Sequence, residues 1–203
     1  NDFIKKTFSK PEKTVEKIIS NYYLENLVKN KNIGIALSGG IDSALLLTLL
    51  KKTYPKIPVD SFSIRFSNSF DETIVAKKIA EKFNSTHHII EVENFLEELP
   101  KAISITKLPF WDIHWYYLAK YASQYSTDII SGDGADELFG GYTFRYDNFL
   151  RITNKNFSKR EKTISYLQCH ERDWVPDQEK LFGPNLHFNW KELYSIIDEY
   201  FNN

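Results

Sequence analysis

The stretch that most restricts how this chain can fold is Ile33-Gly34-Ile35-Ala36-Leu37-Ser38-Gly39-Gly40-Ile41-Asp42-Ser43. Its first half is an apolar run, β-branched at Ile33 and Ile35, which suits a strand buried on both faces. Ser38, Gly39 and Gly40 break that run. Asp42 and Ser43 then suit the first turn of a helix whose apolar body is Ala44 to Leu50. A strand that turns through glycines into a helix collects unpaired backbone N–H groups at one point, and the helix dipole adds positive charge there. The turn is therefore an anion site. Glycine lets phosphate oxygens approach the main chain, and Ser38 and Ser43 can add hydroxyl donors. Asp42 opposes an anion unless a cation joins it. A Mg²⁺ held by one carboxylate and by phosphate oxygens removes the conflict. The bland alternative is a plain strand–turn–helix connection with capping serines. The loop lacks the Gly-Lys-Ser/Thr ending of a Walker loop, so any phosphate grip here is of another kind.

The rest of the chain places this turn in an alternating pattern. Ser9-Lys10-Pro11-Glu12 reads as a capping box before a helix carrying Val15, Ile18, Ile19 and Tyr22. Tyr54 to Pro58 closes the helix after the turn, and Val59 to Phe66 alternates apolar and polar residues as a second strand. Asp71-Glu72 opens a helix with Val75, Ile79, Ala80 and Phe83 on one face, and His88 to Val92 is a third strand. Phe95 to Ile105 is predicted helical, as is a segment capped by Asp112 and running from Ile113 to Tyr125; Asp128 to Ile130 is a fourth strand. Such alternation predicts an α/β fold, a parallel twisted sheet flanked by helices. Ligands of such sheets sit beyond the carboxyl ends of the strands. A second motif, Ser131-Gly132-Asp133-Gly134-Ala135-Asp136-Glu137-Leu138-Phe139-Gly140-Gly141-Tyr142, starts at one of those ends. Its clustered acids repel one another unless cations or shared protons offset them, although an acidic helix start favoured by the dipole is the simpler reading for any one of them.

The first motif resembles the PP-loop of the N-type ATP pyrophosphatases. Together, Ser38–Ser43 and Ser131–Tyr142 resemble the synthetase domain of the glutamine-dependent asparagine synthetase family, relatives of which include β-lactam and carbapenam synthetases. Phe62-Ser63-Ile64-Arg65-Phe66 and His87-His88-Ile89-Ile90-Glu91-Val92 look like that family in the same order. The resemblance covers about residues 10 to 150 and implies an adenine-nucleotide α-hydrolase-like fold with ATP and Mg²⁺. By the same resemblance, Ser38, Gly39, Gly40, Asp42 and Ser43 would bind the β and γ phosphates. Leu37 and Ile64 would frame adenine, with Ile64 offering main-chain hydrogen bonds. Ser131 and Gly132 would lie near the ribose and α phosphate, Asp42 and Asp136 would hold Mg²⁺, and Asp133 would position or deprotonate the attacking amine. The implied reaction adenylates a carboxylate, aspartate in the parent family, and lets ammonia or an amine displace AMP. Another PP-loop amidoligase, a macrolactam or β-lactam-type cyclase, or a non-catalytic ATP-binding remnant are the other readings.

Composition narrows the rest. With 26 basic and 27 acidic residues the net charge is −1, which gives no electrostatic footprint for nucleic acid. No apolar run approaches the ~20 residues that span a bilayer, and a lone cysteine, Cys169, fits a reducing compartment, so a cytoplasmic protein is expected. The partners expected are the carboxylate, a nitrogen donor and a glutaminase domain or subunit. The first residue is Asn1, no methionine occurs, and the family's C-terminal lysine motif has no counterpart. The expectation is one synthetase domain, core about 10–150 and helical tail 151–203, cut from a longer protein. Lys162 and Lys180 read as solvated, the cluster of Cys169, His170, Glu171 and Asp173 suits no common zinc spacing, and Arg172 with Asp173 reads as an ion pair or part of a substrate pocket. His87 and His88 read as core or edge residues, and Trp190 to Phe201 reads as a last amphipathic helix.

Overall fold

The computed structural model describes residues 9–27, 32–67, 71–107, 113–170 and 190–201. By its internal contacts the chain divides into two compact units, residues 1–133 and 134–203.

The first unit holds α1 (Pro11–Asn26), β1 (Ile33–Ala36), α2 (Ile41–Thr53), β2 (Val59–Phe66), α3 (Thr73–Lys82), β3 (Thr86–Val92), α4 (Leu99–Thr106), α5 (Ile113–Ala122) and β4 (Asp128–Ile130). The strands form one sheet in the order β3-β2-β1-β4, and every pairing is parallel. Ile33 lies opposite Val59 on one side and Asp128 on the other, so β1 is central. The chain winds outward from β1 to β3 and then returns to add β4 on the far side. The order thus reverses between β1 and β4, the topological switch point at which such sheets bind ligands.

Both faces of the sheet are covered. Ile33, Ile35, Leu37 and Val59 point to one face, where they pack with Tyr23 of α1, Leu47 and Leu50 of α2, and Ala76 and Ala80 of α3. Phe62, Ile90 and Val92 point to the other, against Leu118 and Ala122 of α5. Each buried Leu, Ile or Phe contributes on the order of 1.5–3 kcal/mol. Asp60 is buried and His88 half-buried, with His88 Nε2 2.7 Å from Asp60 Oδ1 and its ring stacked on Phe62 at 5.0 Å. That places His88 in the core, as expected.

Local chemistry moves several helix ends away from the sequence reading. The capping box at α1 does not form: Pro11 occupies the first helical position, so Lys10 is the N-cap and Ser9 lies outside. At α3 the N-cap is Glu72, which makes no side-chain cap bond; the preceding Asp71 braces the helix start instead, its carboxylate accepting from the Thr73 N–H at 2.9 Å and the Thr73 hydroxyl at 2.6 Å. Those bonds, the hydroxyl's first, hold the Asp71 carboxyl below the usual range. Helix α4 begins at Leu99 rather than Phe95, because Asn94 turns the chain and Pro100 sets the helical start. Helix α5 ends at Ala122, tightening through Tyr121 and Ala122 carbonyls. Asp112, its expected cap, lies outside the described residues.

The second unit holds α6 (Ala135–Phe139), α7 (Thr143–Ile152), α8 (Lys159–His170) and α9 (Trp190–Asp198), with a 3₁₀ turn at Glu199–Phe201. Phe149, Tyr166 and Phe201 pack as an aromatic trio with ring centroids 5.7–6.3 Å apart. The buried Thr163 hydroxyl donates to Asp198 Oδ1 at 2.6 Å, and Arg160 pairs with Asp198 Oδ2 at 3.0 Å, which ties α8 to α9. Among the described residues no helix is long and apolar enough to cross a membrane.

Candidate active site

The loop after β1 is built by its own serines. The Ser43 hydroxyl accepts from the Ser38 N–H at 3.1 Å and lies 3.0 Å from Ser38 Oγ. Ser38 Oγ in turn accepts from the Gly40 N–H at 3.1 Å. The first helical bond of α2 runs from the Ala44 N–H to the Gly40 carbonyl, and the Gly40 N-cap has no side-chain cap. The N–H groups of Ile41, Asp42 and Ser43 therefore have no acceptor inside the helix, and they open at the carboxyl end of the central strand. This is a donor set for an anion, with the helix dipole behind it. Ser43 differs from expectation, since it is only 6% exposed and spends its hydroxyl bracing the loop. Ser38 is the exposed hydroxyl of the pair.

The loop after β4 meets this turn. A Cβ on Gly132 would lie 3.2 Å from Asp42 Cβ and 3.3 Å from the Ser43 nitrogen, so a side chain there would push the two loops apart by a few tenths of an ångström. Ser131 braces its own loop, its hydroxyl accepting from the Asp133 N–H at 3.4 Å. The opening residues of the second motif, Ser131 to Asp133, thus meet the first motif within the first unit, at the switch point between β1 and β4.

Residues 17–189 match the family model described as asparagine synthase. The chain belongs to the asparagine synthase family. It is 38% identical over 151 residues to asparagine synthetase [glutamine-hydrolyzing] 1 of Bacillus subtilis, an alignment covering 71% of this chain and 23% of the relative. Against the asparagine synthetase [glutamine-hydrolyzing] of Gallus gallus it is 34% identical over 142 residues, covering 63% of this chain and 25% of the other. The alignments with these curated relatives span about a quarter of their length. Among solved structures, an NH3-dependent NAD synthetase from Campylobacter jejuni superposes with a TM-score of 0.46 at 19% identity, over 92% of this chain and 93% of that one.

In this family member the remaining candidate residues fall into distinct settings. Leu37 is 2% exposed, its side chain in the core and its N–H bonded to the Phe62 carbonyl at 2.8 Å, so little of it can face a ligand. Ile64 is half-buried, two residues beyond Phe62 and on the same edge of β2. Pairing with β1 ends at Ala36 opposite Phe62, so the Ile64 N–H and C=O point past the last β1 partner. A donor and an acceptor side by side there match the edge of a planar heterocycle. Asp133 is exposed at the end of the first unit.

Asp136 opens α6 in the second unit, half-buried, with the main chain of Gly141 passing so close that any side chain at 141 would strike its carboxylate. Gly134, the N-cap of α6, has φ +85°. Next to Asp136, Glu137 accepts from the Tyr142 hydroxyl at 2.8 Å, and Arg145 lies 4.3 Å over the Tyr142 ring. The Tyr142 bond holds the Glu137 carboxyl below the usual range and raises the Tyr142 phenol. This trio was not singled out from sequence. The spacing of Glu137, Tyr142 and Arg145 across a five-residue helix and its glycines was the available signal.

Among the described residues no three His, Cys, Asp or Glu side chains gather as a metal cage. A lone carboxylate beside open N–H groups does fit Mg²⁺ that arrives with a triphosphate, because Mg²⁺ in such sites takes one or two carboxylates plus phosphate oxygens. Of the tail residues, Cys169 accepts from the Asn148 amide at 3.4 Å, and Lys162 lies in the first turn of α8, its N–H bonded to the Ser158 carbonyl at 3.0 Å. The side chain of His170, residues 171–173 and Lys180 lie outside the described residues.

Proposed function

We propose that this chain binds Mg·ATP at the β1/β4 switch point and forms the nucleotide-activating part of an amide-forming ligase of asparagine synthetase type. The observation that carries the reading is the convergence of the two motif loops, with Gly132 packed against Asp42 and Ser43 at the open N-terminus of α2. In this reading a carboxylate, taken to be that of aspartate, attacks the α phosphorus. The bond from the α phosphorus to the bridging oxygen breaks and pyrophosphate leaves. Ammonia or an amine then attacks the acyl carbon, the carbon–oxygen bond to AMP breaks, and the nitrogen loses a proton.

The chain's own groups have defined tasks. The N–H groups of Ile41, Asp42 and Ser43, with the Ser38 hydroxyl, cradle the leaving pyrophosphate, and fixed donors of this kind stabilise developing charge without reorganising. The main-chain edge of Ile64 takes adenine, while Ser131 and Gly132 line the ribose and α phosphate. Asp133 orients the incoming nitrogen. Asp42 is the carboxylate at this turn that would hold Mg²⁺, which when bound would supply positive charge to the phosphate oxygens.

Two measurements test the reading. Calorimetry with the 203-residue chain should detect Mg·ATP binding, and Mg·pyrophosphate should compete with it. In any form that turns over, the products should be AMP and pyrophosphate in a carboxylate-dependent manner. ADP and phosphate as the main products, or no Mg·ATP binding, would refute it.

A further inference from the structure

Three polar residues sit on the sheet face that packs against α2 and α3. Ser61 and Ser63 of β2 are 0% and 6% exposed, and the half-buried His87 of β3 lies beside them. Buried hydroxyls must find partners. The Ser63 hydroxyl makes its close contact with the Leu37 carbonyl, and it lies 3.4 Å from His87 Nε2. Ser61 Oγ lies 3.0 Å from His87 Nδ1.

Ser61 Oγ also lies 3.4 Å from the Thr86 carbonyl, a longer contact than the one to His87, and the shorter contacts give the chain of bonds its direction. Ser63 has one proton, and its shorter contact assigns that proton to the Leu37 carbonyl. Toward His87 the Ser63 oxygen must then accept, so Nε2 carries the ring proton. Nδ1 is left as an acceptor and receives the Ser61 hydroxyl. Burial is the largest of the effects that lower the His87 pKa, and it favours this neutral ring.

The chain of bonds ends on one peptide plane. The Leu37 carbonyl and the Ser38 N–H belong to the same peptide unit, the last before the glycines. Its oxygen is held by Ser63 and its N–H by Ser43, at 3.1 Å. A continuous path runs from β3 through Ser63 to the first turn of α2, and bonds in such a series reinforce one another.

From this geometry we infer that Ser63 and His87 are positioning residues that set the orientation of the phosphate loop by clamping the Leu37–Ser38 peptide. The inference rests on the proposed nucleotide site. It predicts an effect confined to the phosphates: the loop grips the β and γ phosphates, whereas AMP has neither. Ser63→Ala should raise the Kd for Mg·ATP about 5- to 10-fold, the scale of one lost hydrogen bond. The Kd for AMP, measured by competition, should stay within about twofold. His87→Leu should act like Ser63→Ala, and His87→Gln, which keeps an N–H near the Nε2 position, should restore most of the loss.

Calorimetry on these variants, with melting curves to verify folding, decides between outcomes. Wild-type affinity for Mg·ATP in Ser63→Ala overturns the clamp alone. Equal weakening of Mg·ATP and AMP also overturns it, because a general loss of packing would do that. Absence of Mg·ATP binding by the unmodified chain overturns the nucleotide site and the clamp together. If Ser63→Ala fails to fold, the His87→Leu and His87→Gln pair carries the same comparison.

Discussion

Gly132→Ala is the substitution whose effect follows most directly from the coordinates. The added Cβ would stand 3.2 Å from Asp42 Cβ, 3.3 Å from the Ser43 nitrogen and 3.5 Å from the Asp42 carbonyl carbon. None of these atoms is the free end of a flexible side chain, so relief requires the β4 loop and the first turn of α2 to part by a few tenths of an ångström. Overpacking of this kind costs about 1–3 kcal/mol. For a unit of this size that lowers Tm by several degrees, on the order of 4–11 °C. The same displacement moves the donors that face the phosphates, and Mg·ATP affinity should fall at least about tenfold. Gly134→Ala is the control. Nothing lies within 4 Å of its Cβ, but φ is +85°, so it carries a dihedral cost of about 1–2 kcal/mol with no intrusion into the turn. Its affinity should stay within about threefold of wild type. Calorimetry and thermal melts on both variants make the comparison. If Gly132→Ala melts and binds like the wild type, close approach of the two loops is irrelevant and the site assignment loses its main support.

Asp42→Asn should abolish most of the gain in ATP affinity that Mg²⁺ confers and cut turnover of a complete enzyme by about 10²-fold, the scale of losing a principal charge stabiliser; titrations with and without Mg²⁺ test this, and an unchanged Mg²⁺ dependence would make Asp42 a simple capping acid. Burial, first, and then His88 and Lys77 hold the His87 imidazole below its usual range, against the opposing pull of Glu81. The unfolded chain therefore takes up that proton before the folded one does, so the His87 contribution is complete above about pH 6.5 and declines as the pH falls toward the folded-state value. Urea midpoints at pH 7.5 and 5.5 should differ less in His87→Gln than in the wild type. Thr163→Val removes the hydroxyl that Asp198 accepts and should destabilise the second unit by about 1–2 kcal/mol, measured by urea unfolding.

The parallel architecture was legible because β1, β2 and β4 are short β-branched or alternating runs bounded by turn residues, and the phosphate turn was legible because Ser38 to Ser43 is a local motif. Other features depended on tertiary packing. The alternation in β2 suggested one apolar and one polar face, yet α2 and α3 bury Ser61 and Ser63 and force them into internal hydrogen bonds. Ser43 looked like a free hydroxyl donor, but a helix start needs its loop braced, and the nearest hydroxyl does that. Leu37 ends an apolar run, and nothing local distinguishes a core side chain from a ligand wall. The start of α4 was misplaced because Asn94 and Pro100 outweigh the apolar spacing from Phe95.

Strand β2 outruns its neighbour: it extends to Phe66 beside β3, whereas its partnership with β1 stops at Phe62. The sheet therefore carries an open edge in its interior, at Ile64, of the sort that elsewhere invites a foreign strand to pair. A flat heterocycle presenting one donor and one acceptor would serve as a strand surrogate and heal that edge. The Ile64 amide should then exchange its hydrogen with solvent quickly in buffer and slowly with nucleotide bound, while amides earlier in β2 change little. Nucleotide would also act as a solubility factor, suppressing edge-to-edge self-association at high protein concentration.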